Sequence, residues 1–120
     1  MIIVRFEDIV AWQKSRDFVK LIYQIFGKTS DFGFRGQILR ASVSIMNNIA
    51  EGFEKKSNKD FIKFLNISKG SCGEVRSMLY VAKDVGYLEQ NTFELLYNQT
   101  VEISKILSGF IRSLKSQAKN

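Results

Sequence analysis

Glu51 and Glu54 stand one helical turn apart. Two carboxylates at that spacing can divide acid and base roles when their surroundings separate their proton affinities. The chain supplies them with no companions. It contains no histidine and one cysteine, so histidine-based triads and Cys/His zinc sites are excluded and no disulfide can close within one chain. Gly70, Gly73 and Gly86 sit in helical or capping contexts, not in a GxGxxG turn after a strand. Cys72 lies on an apolar helical stripe between Ser68 and Val75 and reads as a small buried hydrophobe. No catalytic constellation, metal site or cofactor is expected, and the chain reads as a non-enzyme.

The chemistry that remains is charge. Eighteen Lys and Arg against twelve Asp and Glu give +6, with a pI near 9.6. Such an excess suits polyanionic partners, and it equally serves solubility. The basic residues are not spread evenly. After Glu102 the chain holds Lys105, Arg112, Lys115 and Lys119 and no acid. On a helical wheel these four fall within about 80° of one another. Compensation of the helix dipole accounts for Lys115 and Lys119 near the C-terminus, but poorly for Lys105. A one-sided basic stripe is the footprint of phosphate binding. No zinc finger, RNP aromatic motif or helix-turn-helix accompanies it, so contact would be with the nucleic-acid backbone and not with base sequence. Lys14, Arg16 and Lys20 could extend the surface, as could Lys55, Lys56 and Lys59.

A second set is polar but weakly charged. With Arg40 as the zero of a wheel, Gln37, Ser44, Asn47 and Glu51 fall within about 60° of it and Asn48 lies just outside. Ile38, Leu39, Ile45, Met46, Ile49 and Phe53 take the opposite side. Solvated helix faces usually carry long Lys and Glu chains. Short amides and hydroxyls at spacings of three and four suit a polar contact with another helix, with Arg40–Ser44 and Asn47–Glu51 as candidate bonds. Gly70, Ser71, Gly73 and Ser77 form a small-residue patch. Mid-helix glycine costs about 1 kcal/mol against alanine, which close approach of another helix would offset.

Four helices must position these groups. The first is expected from about Asp8 to Phe26, ending at Gly27. The second runs from about Phe34 to Phe53. The third follows a capping box at Ser57–Asp60 and stops at Gly86. The fourth opens with Asn91-Thr92-Phe93-Glu94 and runs to about Gln117. Phe93, Leu96, Thr100, Ile103, Leu107, Phe110 and Leu114 make an a/d seam on it. Phe61, Leu65, Ser68, Cys72, Val75, Leu79 and Ala82 form a stripe on the third helix, flanked by a second stripe of Ile67, Met78, Val81 and Val85. The apolar arc of the first helix (Trp12, Phe18, Val19, Leu21, Ile22, Tyr23, Ile25, Phe26) is wider than one core needs, so either this helix is central or, the favoured reading, part of the arc is buried by another subunit. With 120 residues and no proline, the expected architecture is all-α, one antiparallel up-down-up-down four-helix bundle over residues 1–120. No apolar run reaches the ~18 residues of a membrane helix. The start lacks the features of a signal peptide, and a lone cysteine fits a reducing compartment, so a cytoplasmic protein without membrane contact is expected.

Three segments then carry a resemblance: Phe6-Glu7-Asp8-Ile9-Val10-Ala11-Trp12-Gln13-Lys14; Gln37 through Gly52, ending Asn48-Ile49-Ala50-Glu51-Gly52; and Lys69-Gly70-Ser71 with Glu74 downstream. They resemble the four-helix bundle proteins often encoded in intervening sequences of bacterial 23S ribosomal RNA genes. The chain is also similar to the accessory variability proteins of diversity-generating retroelements, which share that fold and bind nucleic acid and a reverse transcriptase. The resemblance implies a ring-like homopentamer. It further implies RNA or DNA, and a protein such as a reverse transcriptase, as partners. The matching positions are Trp12, Gln37, Arg40, Ala41, Ser44, Asn48, Glu51, Gly52, Gly70 and Ser71. They coincide with the structural and interfacial features above. Two departures stand out. Leu39 replaces a common arginine and removes a positive charge. Met46 replaces a common proline, so the second helix should run straight.

Overall fold

The computed structural model describes residues 2–118. A single 3-10 turn (Phe6–Asp8) precedes four helices: α1 (Val10–Phe26), α2 (Phe32–Phe53), α3 (Asn58–Asp84) and α4 (Gln90–Ala118). There is no strand among the described residues. Together they form a rod with extents of 50 × 21 × 19 Å. Its long axis is close to the ~43 Å expected for the longest helix at 1.5 Å per residue.

Local chemistry sets the helix ends. α1 starts at Val10, two residues later than expected, because Glu7 and Asp8 belong to the 3-10 turn and Ile9 is extended and buried. α2 starts at Phe32, two residues early, because the Asp31 carboxylate accepts from the Phe34 N–H at 3.2 Å. Ser57 caps α3 as expected, accepting from the Asp60 N–H at 3.1 Å. At the other end Gly86 takes φ +87, Tyr87 N–H donates to Ala82 C=O at 2.7 Å and Gly86 N–H to Lys83 C=O at 3.2 Å. That pair of bonds is a Schellman stop, and its left-handed residue favours glycine. The acidic box expected at Asn91–Glu94 does not form. α4 begins at Gln90, whose amide donates to Glu94 at 3.1 Å, and Asn91 lies inside the helix. α2 runs through Met46 unbroken.

Pairs of contacts fix the direction of each helix. Moving back along α2 from Phe53 to Ser44 moves forward along α3 from Phe61 to Ser71. Phe61 meets Phe110, and Tyr80 meets Phe93. The α2–α3 and α3–α4 pairs are therefore antiparallel; the short Gly27–Asp31 link and the Phe26–Phe34 contact turn α2 back along α1, so the bundle is up-down-up-down. α1 packs on α2 and more lightly on α4, and the diagonal pairs stay apart.

The core is the set that the helical period selects. The whole first stripe of α3 is buried, as are Phe18, Ile22, Phe26, Ile38, Ile45 and Ile49. On α4 the seam is buried except Phe110, which is half-buried while Ile111 is buried beside it. Buried hydroxyls are satisfied within the core: Thr100 donates to Tyr97 C=O, Ser15 to Ala11 C=O and Ser68 to Ile45 C=O, each at 2.7 Å. Most of the wide α1 arc is absorbed within the chain, so burial against another subunit is not needed to cover it; of its members Tyr23 alone is exposed. The second stripe of α3 splits. Met78 is buried, whereas Ile67, Val81 and Val85 face outward.

One end of the rod is tied by an aromatic stack, Phe26–Phe34–Tyr87, with centroid spacings of 5.4 Å. The Tyr87 hydroxyl donates to Asp31 at 2.7 Å, joining the α3–α4 turn to the α2 cap. This bond, helped by the Phe34 N–H, holds the Asp31 carboxyl below its ordinary 3.8 and raises Tyr87 above its ordinary 10.0. A depressed carboxylate stabilises the fold above its unfolded value and loses that contribution as pH falls through the folded one. Tyr87→Phe should therefore lower Tm at neutral pH. The gap to the parent should close as pH drops below about 3.8. Thermal melts of both proteins from pH 7 to pH 2 check this; a gap independent of acid would place its origin in packing alone.

Candidate nucleic-acid interface

The basic stripe of α4 meets α3 in a groove of about 500 Å³ lined by Arg76, Tyr97, Val101, Ser104, Lys105, Ser108 and Arg112. No acid lines it. Arg76 and Arg112 lie back along their own helices, over Gly73 and Gly109, where an added Cβ would sit 3.7 Å from each guanidinium. Among the described residues, Arg76, Lys105 and Arg112 have no carboxylate within 4.0 Å. Their charge is free for an outside anion, and the groove hydroxyls add neutral donors.

Lys105 and Arg112 are the members of the expected stripe that line this groove. Lys115 is exposed in the last turn of α4, on the same side as Arg112. Lys119 lies outside the described residues. Arg76 was not anticipated. It shares one face of α3 with Lys69 and Lys83, seven residues to either side, and only the packing of α3 on α4 brings it to the stripe.

The α1 basic residues sit elsewhere. Lys14 is paired with Glu102 at 3.1 Å, across the α1–α4 contact. Arg16 stacks on Trp12 with its guanidinium 5.8 Å from the ring centroid, and Arg5, Glu7, Asp8 and Asp17 share that hollow. Lys20 is exposed. None of the three lines the α3–α4 groove, and Lys14 is taken up by Glu102.

The polar ladder of α2 is real as a face, with a different bonding pattern. Asn48 donates to Ser44 C=O at 2.8 Å and to Ser44 Oγ at 2.9 Å. Ser44 Oγ in turn meets Ser71 Oγ of α3 at 2.9 Å. The candidate bonds Arg40–Ser44 and Asn47–Glu51 are not formed. Arg40 instead folds back over Gly36, where a Cβ would lie 3.0 Å from its guanidinium. Beside the ladder, Tyr23, Leu39, Arg40, Val43, Ser44, Asn47 and Asn48 line a groove of about 400 Å³ between α1 and α2. Gln37 and Glu51 are exposed, as is Glu54. Trp12 packs edge-on against Phe6 at 5.2 Å and helps fasten the N-terminal segment.

Of the small residues, Gly52 marks the close approach. A Cβ there would stand 2.7 Å from Phe64 Cβ and 2.9 Å from Phe61 Cδ1. The close approach expected at Gly70 and Gly73 is absent within the chain: nothing lies within 4 Å of a Cβ at Gly70, and only Arg76 of the same helix lies near Gly73. Cys72 is fully buried, and desolvation pushes its thiol up to about 11. A thiol held protonated there is structural.

The bundle agrees with two comparisons. A structure of a protein of unknown function from the S23 ribosomal protein family of Bacteroides thetaiotaomicron is 30% identical, with a TM-score of 0.80 over 85% of this chain and 98% of that one. A comparison with curated proteins found no match. The sequence model for the 23S rRNA-intervening sequence proteins matches residues 7–109, a span holding α1 to α3, α4 as far as Gly109 and both halves of the Ser44–Ser71 contact, and the chain belongs to that family.

Proposed function

We propose that the protein is a non-catalytic, cytoplasmic homo-oligomer, five copies in a ring, that holds RNA or DNA by its phosphate backbone without reading sequence. The observation that carries the reading is the acid-free α3–α4 groove with Arg76, Lys105 and Arg112 in its walls. Membership of a family described by its 23S rRNA intervening sequences favours a ribosomal-RNA-like ligand. Assembly is supported by the outward α3 stripe. Ile67, Val81 and Val85 are 45%, 47% and 56% exposed, next to a Gly70 backbone with open space above it. Five copies of a +6 chain carry +30, and linked sites would strengthen a weak groove through effective concentration.

The test is a titration of unrelated RNA and DNA fragments at several salt concentrations, with light scattering on the same samples. Affinity should fall steeply with salt and vary little with sequence, because phosphate contacts release counterions. A monomer at micromolar concentration would overturn the assembly. Failure to retain nucleic acid at low salt would leave a scaffold that uses the apolar stripe to bind protein, with its charge serving solubility.

A further inference from the structure

The α3–α4 groove does not end at its cations. Toward the Gly86 turn it runs into an aromatic cluster. Tyr80 of α3 packs edge-on against Phe93 at 5.0 Å and Tyr97 at 6.0 Å, and Tyr97 also lines the basic groove. Lys83 stands 4.5 Å from the Phe93 ring centroid and 5.7 Å from that of Tyr80. On the α3 wheel, Lys69, Gly73, Arg76, Tyr80 and Lys83 fall within about 80° of one another, so cations and ring share one face.

Phe93 is 6% exposed and belongs to the core, whereas Tyr80 is 47% exposed. Tyr80 is held by neighbouring rings and still open to solvent, one helical turn from Arg76, a rise of ~6 Å.

We infer that this groove takes single-stranded nucleic acid, with Tyr80 as a platform for an unpaired base and Arg76, Lys105 and Arg112 on the phosphates beside it. The inference rests on the nucleic-acid reading above and narrows its ligand. In a duplex the base faces are already stacked on one another, so an aromatic ring in the groove gains nothing from them. A single strand can offer a base face and a phosphate together. Stacking is tolerant of base identity because every base has a π-face, which fits a site with no module for reading base edges.

The experiment compares a labelled oligouridylate of ~12 nucleotides, within the site sizes of such grooves, with a duplex of equal length. The single strand should bind more tightly. Tyr80→Leu keeps an apolar side chain but removes the ring, and should weaken single-strand binding roughly 5- to 150-fold with the salt slope unchanged. Tyr80→Phe keeps the ring and should bind like the parent. Equal or tighter duplex binding, or a Tyr80→Leu protein that binds the strand like the parent, overturns the inference while backbone binding stands. Loss of both ligands from the parent at low salt would sink the nucleic-acid reading and this one with it. Should Tyr80→Leu melt below the assay temperature, cross-linking of a 4-thiouridine strand to the parent protein decides. Adducts on the Tyr80 or Tyr97 peptides support the platform, and adducts confined elsewhere overturn it.

Discussion

Changing Arg76, Lys105 and Arg112 together to glutamine should lower affinity for generic RNA about a hundredfold at 0.1 M salt, since each lost phosphate contact removes roughly 0.7–0.9 from the slope of log affinity against log salt. The triple change takes the chain from +6 to +3. The slope should shrink by about two units, equally for unrelated sequences. The fold should survive, because none of the three is buried and none has an ion-pair partner among the described residues. Glutamine retains length and hydrogen bonding, so the loss would report charge. The matched control changes Lys14, Arg16 and Lys20 to glutamine. Lys14 already serves Glu102, and Arg16 lies among Glu7, Asp8 and Asp17, so that protein should lose much less. Equal losses from both triples would mean that net charge matters and the groove does not.

Gly52→Ala and Gly70→Ala should change stability in opposite directions. By helix propensity alone each alanine would gain about 1 kcal/mol. At Gly52 the new methyl meets Phe64 Cβ at 2.7 Å and Phe61 Cδ1 at 2.9 Å. A Cβ is fixed to the backbone and cannot swing aside, so α2 and α3 must separate. Overpacking of this kind costs ~1–3 kcal/mol and should outweigh the propensity gain. At Gly70 nothing lies within 4 Å, and alanine should stabilise the chain by about 0.5–1 kcal/mol. Urea unfolding of the two variants, followed by circular dichroism, reads both signs. Light scattering adds a second result. A Gly70→Ala protein that falls apart into smaller species would place Gly70 at a close approach between copies.

How much of this was legible beforehand follows from what a helical period encodes. Periodicity places residues on faces of one helix, so the buried stripe of α3, the α4 seam and the outward α2 ladder could be read directly. End signals with a single local partner were also legible: Ser57 bonds its own first turn, and Gly86 supplies a left-handed residue. The absence of histidine excluded histidine-based triads and Cys/His zinc sites before any fold was known. Where two neighbouring residues compete, the period alone was too coarse. α4 begins at Gln90 in place of the expected box, and Ile111 is buried more deeply than Phe110 because the bulky ring packs edge-on against Phe61 from the side.

What lay beyond the sequence is which faces meet. Arg76 looks like one of several cations along α3, and Lys105 and Arg112 look like half of a terminal stripe. They become one groove only when α3 packs antiparallel on α4. The same packing sets Tyr80 beside them. Lys14 reads as part of a basic surface until α4 brings Glu102 to within 3.1 Å of it. Gly52 and Gly70 look alike along the chain, yet a Cβ added at one would run into Phe64 Cβ and at the other would face open space. The amino-acid order thus determined four helices and their inward stripes, because those depend on contacts a few residues apart, and a basic composition without histidine. The groove, its cations and its exposed ring were decided by tertiary structure, because they depend on the rotation and register at which distant helices interlock.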